Sequence, residues 1–154
     1  MIQVLFVCHG NICRSPMAEF LFRDMLTQKG LSQSFFVASA ATSREEIGNP
    51  VYPPAKKKLS SLGINCNGKT ARQVTREDYE AFDYLLVMES YNTKNLMGIL
   101  GNDPQKKVYR LLDFSPRPRD IADPWYTGNF DITHRDIMEG LEAFLDFTLK
   151  NKKA

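Results

Sequence analysis

The chain has 154 residues, 43% apolar and 25% charged, with a formal net charge of +2. That composition excludes a disordered or low-complexity chain and fits one domain, residues 1–154, with an ordinary core; +2 is too weak a bias to argue for a nucleic acid partner. The apolar runs are far shorter than a membrane span and the N-terminus lacks a signal-peptide pattern, so no membrane span and a cytoplasmic location are expected.

The first element in chain order is Ile2-Gln3-Val4-Leu5-Phe6-Val7, which reads as a buried strand. Directly after it stands Cys8-His9-Gly10-Asn11-Ile12-Cys13-Arg14-Ser15, and Pro16 then suits the first turn of a helix. A thiol and a guanidinium therefore occupy the two ends of a tight strand-to-helix loop. Its backbone N–H groups and the helix dipole favour an oxyanion, and Gly10 permits backbone geometry that a side chain would oppose. Arg14 supplies a fork for two phosphate oxygens, and the positive surroundings favour Cys8 as a nucleophilic thiolate.

Further along, Ser15 to Lys29 carries Met17, Phe20, Leu21, Met25 and Leu26 at helical spacing, with Gly30 as the stop. Phe35–Ala38 reads as a second strand, Pro53-Pro54 to Leu62 as a helix ended by Gly63, and Thr75 as the N-cap of another. Tyr84–Met88 is a third, apolar strand and Asn92–Leu100 a helix. Lys107–Leu111 is a fourth strand, Asp113 to Trp125 a long connection, and Thr133–Lys150 the final helix. The alternation predicts an α/β three-layer sandwich with a four-stranded, mainly parallel, doubly wound sheet and helices on both faces. Ligands bind such sheets at the carboxyl ends of their strands, where Cys8, Glu89 and the Asp113–Trp125 connection are expected to converge.

Val7-Cys8-His9-Gly10-Asn11-Ile12-Cys13-Arg14-Ser15-Pro16-Met17-Ala18-Glu19 resembles the phosphate-binding loop of the low-molecular-weight protein tyrosine phosphatases, and Asp123-Pro124-Trp125-Tyr126 resembles their general-acid loop. The resemblance spans essentially the whole chain, through Thr70-Ala71-Arg72-Gln73 and Asp83-Tyr84. It implies a phosphotyrosine phosphatase acting through a cysteinyl-phosphate intermediate, with no cofactor and no metal. Phosphotyrosine proteins or aryl phosphates are the implied substrates and inorganic phosphate the product, with the enzyme a monomer or weak homodimer. Cys8 is then the nucleophile, Arg14 the phosphate clamp, and Asp123 the general acid, a role worth about 10²- to 10⁴-fold in rate. The alternative for Asp123-Pro124 is a plain turn. The resemblance further implies that Trp125 and Tyr126 line the substrate cleft and that Ser39 joins a supporting network with Asn11 and Ser15.

His9, Gly10, Asn11, Ile12, Cys13 and Ser15 are expected around the phosphate. The Ser15 hydroxyl can donate to the Cys8 sulfur, cap the helix, or both. Asn11 tolerates left-handed backbone geometry. Of the three cysteines, Cys13 either traps an oxidised Cys8 as a disulfide or packs beneath the loop, and Cys66 reads as a bystander. Neither the cysteines nor the separated His9 and His134 have metal-ligand spacing.

Four positions depart from the family pattern: His9 for an apolar wall residue, Glu45 for an aromatic wall, Lys69 for a His of the network, and Glu89 for Asp. Ile12 favours phosphotyrosine over phosphoarginine, since related arginine phosphatases tend to carry Thr there. An arsenate reductase would need more cysteines. A phosphotyrosine-binding module could dispense with Cys8 and Asp123, and a nucleotide-binding loop would need a GxxxxGK[ST] pattern, which is absent.

Overall fold

The computed structural model describes residues 1–151. Four strands, β1 (Ile2–Cys8), β2 (Phe35–Ala41), β3 (Tyr84–Val87) and β4 (Val108–Arg110), form one parallel sheet in the order β2-β1-β3-β4. Six α-helices accompany them: α1 (Arg14–Gln28), α2 (Pro53–Ser61), α3 (Arg76–Ala81), α4 (Ser90–Leu100), α5 (Pro124–Thr127) and α6 (Phe130–Lys150). A 3-10 turn covers Leu111–Phe114. The predicted α/β sandwich is the observed fold.

The two faces of the sheet are separated by the two-residue period of a strand. Val4, Phe6 and Cys8 of β1 pack among Met17, Leu21 and Phe22 of α1, Ala55 and Leu59 of α2, and Leu141 and Phe144 of α6. Leu5 and Val7, one residue out of phase, pack instead with Tyr79 and Phe82 around α3 and with Leu96 of α4. Because β1 is central and covered on both sides, Val4, Leu5, Phe6 and Val7 are all fully buried, which explains the unbroken apolar run. Phe22 joins the first layer together, with its ring 5.8 Å from Phe6, 5.5 Å from Phe35 and 5.8 Å from Phe144.

Several boundaries move by a few residues for identifiable reasons. β2 runs three residues beyond Ala38 because it pairs with β1 along its whole length, ending at Cys8 opposite Ala41. α4 starts at Ser90 rather than Asn92, since Asn92 Oδ1 accepts from the backbone N–H groups of Met88 and Glu89, both at 3.1 Å. α6 starts at Phe130 rather than Thr133, with Asn129 as its cap accepting from Ile132 N–H at 3.0 Å. α1 begins at Arg14, so Cys13 takes the N-cap position and Ser15 lies inside the first turn, without the capping role open to it from sequence.

The four carboxyl ends at Cys8, Ala41, Val87 and Arg110 point to one edge, and the chain beyond β4 returns there. The Ile121 N–H donates to Met88 O at 2.9 Å, which fixes the connection against the end of β3. Among the described residues no helix is long and apolar enough to cross a membrane.

Candidate active site

A cavity of about 190 Å³ opens at that edge, lined by Cys8, His9, Gly10, Ile12, Cys13, Arg14, Glu45, Glu46, Asp123, Trp125 and Tyr126. The strand end supplies Cys8, the strand-to-helix loop its floor, the segment after β2 one wall, and α5 with its preceding residue the other. Of the loop residues expected around the phosphate, Asn11 and Ser15 do not line the cavity, and Ser15 is fully buried in the first turn of α1. Asn11 is buried behind the loop with a φ of 58°, a left-handed conformation that Asn tolerates better than most residues.

Behind the loop the hydrogen bonds have a defined direction. Asn11 Oδ1 accepts from the Arg72 backbone N–H at 3.2 Å, and a backbone N–H can only donate, so the orientation of the amide is fixed. Its Nδ2 then uses both hydrogens, donating to Ser15 Oγ and Ser39 Oγ, each at 2.9 Å. Ser39 in turn donates to Glu19 Oε1 at 2.5 Å. Ser15 has its own hydrogen left, and its Oγ lies 3.0 Å from Cys8 Sγ. The chain of groups thus ends in a hydroxyl aimed at the sulfur, the arrangement that stabilises a thiolate.

Glu19 was not singled out from the sequence, where it reads as an ordinary charge on an amphipathic helix. It is buried, with Arg23 at 2.6 Å and Lys69 at 3.5 Å. Lys69 also donates to Ser39 O at 3.0 Å, so its ammonium belongs to the same network. Burial pulls the Lys69 pKa below its usual value, and Glu19 offsets part of that.

Arg14 is buried and held on three sides. Its guanidinium donates to Ile121 O at 2.8 Å, pairs with Glu89 at 2.5 Å and approaches Asp123 Oδ2 at 3.4 Å. Burial works against its charge, but Cys8, Asp123 and Glu89 more than offset this and push its pKa up. The longer Glu89 thus reaches the arginine across the edge of the sheet. The part played by the Ile121 carbonyl has no sequence signal, because a backbone acceptor carries no residue preference.

Asp123 has two partners. Oδ1 accepts from Trp125 N–H at 3.0 Å, making Asp123 the N-cap of α5, while Oδ2 faces Arg14. The capping turn open to Asp123-Pro124 from the sequence is therefore formed by one carboxylate oxygen, and the other oxygen is left facing the cavity and Arg14. Trp125 and Tyr126 stand at the rim, 56% and 84% exposed, and Tyr52 supports Trp125 with ring centroids 4.7 Å apart. In place of the aromatic wall, Glu45 and Glu46 line the cavity, and His9 Nε2 lies 2.9 Å from Glu45 Oε2.

All three cysteines are unpaired thiols and buried. Cys13 faces the cavity, and burial, followed by the proximity of Cys8 and Asp123, pushes its pKa far above the usual thiol value, so it is held as a neutral thiol.

The family model described as "Low molecular weight phosphotyrosine protein phosphatase" matches residues 3–154. The chain is 41% identical to the low molecular weight protein-tyrosine-phosphatase YfkJ of Bacillus subtilis over 155 aligned positions, covering 99% of both chains. It is 37% identical to the low molecular weight phosphotyrosine protein phosphatase of Rattus norvegicus, covering 95% of each. The crystal structure of the Bacillus subtilis protein superposes with a TM-score of 0.93, covering 99% of this chain and 98% of that one.

Proposed function

Because the chain belongs to the low molecular weight phosphotyrosine protein phosphatase family, we propose that it hydrolyses phosphotyrosine and aryl phosphomonoesters in two steps carried by Cys8, Arg14 and Asp123. The observation that supports this reading is the meeting of these three side chains at one cavity, although Asp123 lies 109 residues from Arg14 in sequence. In the first step Cys8 Sγ attacks phosphorus in line. The S–P bond forms as the bond from phosphorus to the phenolic oxygen breaks, and the Asp123 carboxylic acid gives its proton to that oxygen. Arg14 and the loop N–H groups hold the equatorial oxygens, whose charge they stabilise in the transition state.

In the second step water attacks phosphorus. Asp123, now a carboxylate, takes the proton, the S–P bond breaks, and the sulfur leaves as a thiolate stabilised by the Ser15 hydroxyl. Trp125 supplies a face for the substrate ring, and the depth of the cavity favours tyrosine over the shorter serine. The expected setting is one cytoplasmic domain acting on phosphotyrosine-containing proteins, as a monomer or weak homodimer.

Purified protein incubated with para-nitrophenyl phosphate in EDTA tests the scheme, with Cys8→Ser as the control. Turnover by the wild type and none by the variant is expected. An inactive wild type, or a fully active variant, overturns it. Parallel assays on phosphotyrosine, phosphoarginine and phosphoserine peptides test the substrate class, with phosphotyrosine expected to be cleaved fastest.

A further inference from the structure

The mouth of the cavity is chemically lopsided. Trp125 and Tyr126 form one lip, whereas the other carries two adjacent carboxylates, Glu45 and Glu46. Each has a hydrogen-bond partner. Glu45 Oε2 is tied to His9 Nε2 at 2.9 Å, and Glu46 Oε1 accepts from Asn49 Nδ2 at 2.9 Å. The Glu46 Cγ also lies against Gly10, 3.4 Å from where a Cβ would stand. His9 belongs to the phosphate loop, so the Glu45 carboxylate is hydrogen-bonded to the segment that holds the phosphate, while the Glu46 carboxylate is held by Asn49 in its own loop.

Arg14 lies in the floor of the cavity and is engaged by Glu89 and Asp123, while Glu45 at the rim is hydrogen-bonded to the His9 imidazole. A phosphate at the floor therefore meets positive charge, while a group beside the phosphorylated ring meets the carboxylate of Glu45, whose side chain is 68% exposed. An aliphatic wall in that place would be indifferent to the charge of the flanking residue. A carboxylate there attracts a cation and repels an anion.

We propose that Glu45, braced by His9 and flanked by Glu46, is a specificity-determining residue that selects phosphotyrosine next to a Lys or Arg and disfavours phosphotyrosine next to Asp or Glu. The proposal rests on the tyrosine phosphatase reading above. For an exposed charge pair the expected preference is about three- to tenfold in kcat/KM between basic and acidic peptides.

The test uses three phosphotyrosine peptides that differ only at the residue beside phosphotyrosine: Lys, Ala or Glu. Their kcat/KM values are measured for the wild type, Glu45→Gln and Glu45→Lys, at low and high ionic strength. Ratios are taken within each protein, so a general loss of activity cancels. The wild type should rank Lys above Ala above Glu, Glu45→Gln should shrink the spread, and Glu45→Lys should invert it, with salt weakening every preference. Equal rates on the three peptides, or a ranking unchanged in Glu45→Lys, would overturn the proposal while leaving the phosphatase reading intact. Cleavage of none of them would overturn both.

Discussion

Arg14 and Asp123 lie 109 residues apart, yet Asp123 Oδ2 sits 3.4 Å from the Arg14 guanidinium while Oδ1 caps α5. The arginine proposed to hold the phosphate and the carboxyl proposed to protonate the leaving group are thus in contact. Asp123→Asn separates the two duties of the aspartate. Asn is an equally good N-cap, so α5 keeps its start, but its amide cannot donate a carboxylic proton. The rate on aryl phosphates should fall about 10²- to 10⁴-fold with phosphate binding nearly intact. Steady-state kinetics with inorganic phosphate as competitor check both halves; equal rates for the two proteins would remove Asp123 from its role.

Glu19 is the buried anchor of the network behind the loop. Glu19→Ala leaves Lys69 beside Ser39 with its paired carboxylate gone, and stability should drop by about 3 kcal/mol. Lys69→Ala should cost less, because Arg23 still faces Glu19 at 2.6 Å. Urea midpoints of the two variants and their combination would show the coupling as a departure from additivity. A Glu19→Ala variant as stable as the wild type would refute the anchoring role.

Two helical glycines make opposite predictions. A Cβ at Gly140 of α6 would stand 2.5 Å from Leu111 Cγ, whereas one at Gly98 of α4 would meet nothing within 4 Å. Gly98→Ala should therefore stabilise by about 0.5–1 kcal/mol through helix propensity. Gly140→Ala should destabilise by about 1–3 kcal/mol despite the same propensity gain, because Leu111 is fully buried and must move. Thermal melts of the pair suffice.

Acid stability should depend on Glu139. Hydrogen bonds from Arg119 and then Ser115 draw its carboxyl from the usual 4.5 down to about 2. A depressed folded-state pKa contributes stability above the unfolded value that is lost as pH falls toward the folded one. Glu139→Gln should thus cost about 1 kcal/mol at neutral pH, given the partial exposure of the group. The gap to the wild type should close as pH drops from 4.5 toward 2. Urea unfolding over an acid pH series measures it, and a gap independent of pH would contradict the assignment.

The alternation of apolar strands with amphipathic helices, and the loop that follows β1, were legible in the sequence, although β2, α4 and α6 extend two or three residues further and the short α5 was not read as a helix. Periodicity and local backbone preference act over a few positions, and Cys8 to Ser15 are contiguous. Asp123 was legible as a motif, but its double use was not, since one oxygen answers to the local α5 backbone and the other to a residue from the opposite end of the chain. The same limit hid Glu19, the Ile121 carbonyl and the bond of His9 to Glu45, which stand out only as unrelated residues along the chain. Composition and pattern specify which faces are buried; which polar groups meet across those faces follows from strand order and register. Here the parallel order β2-β1-β3-β4 brings four carboxyl-terminal strand ends to one edge and sets the long return beyond β4 against the end of β3, beside the phosphate loop.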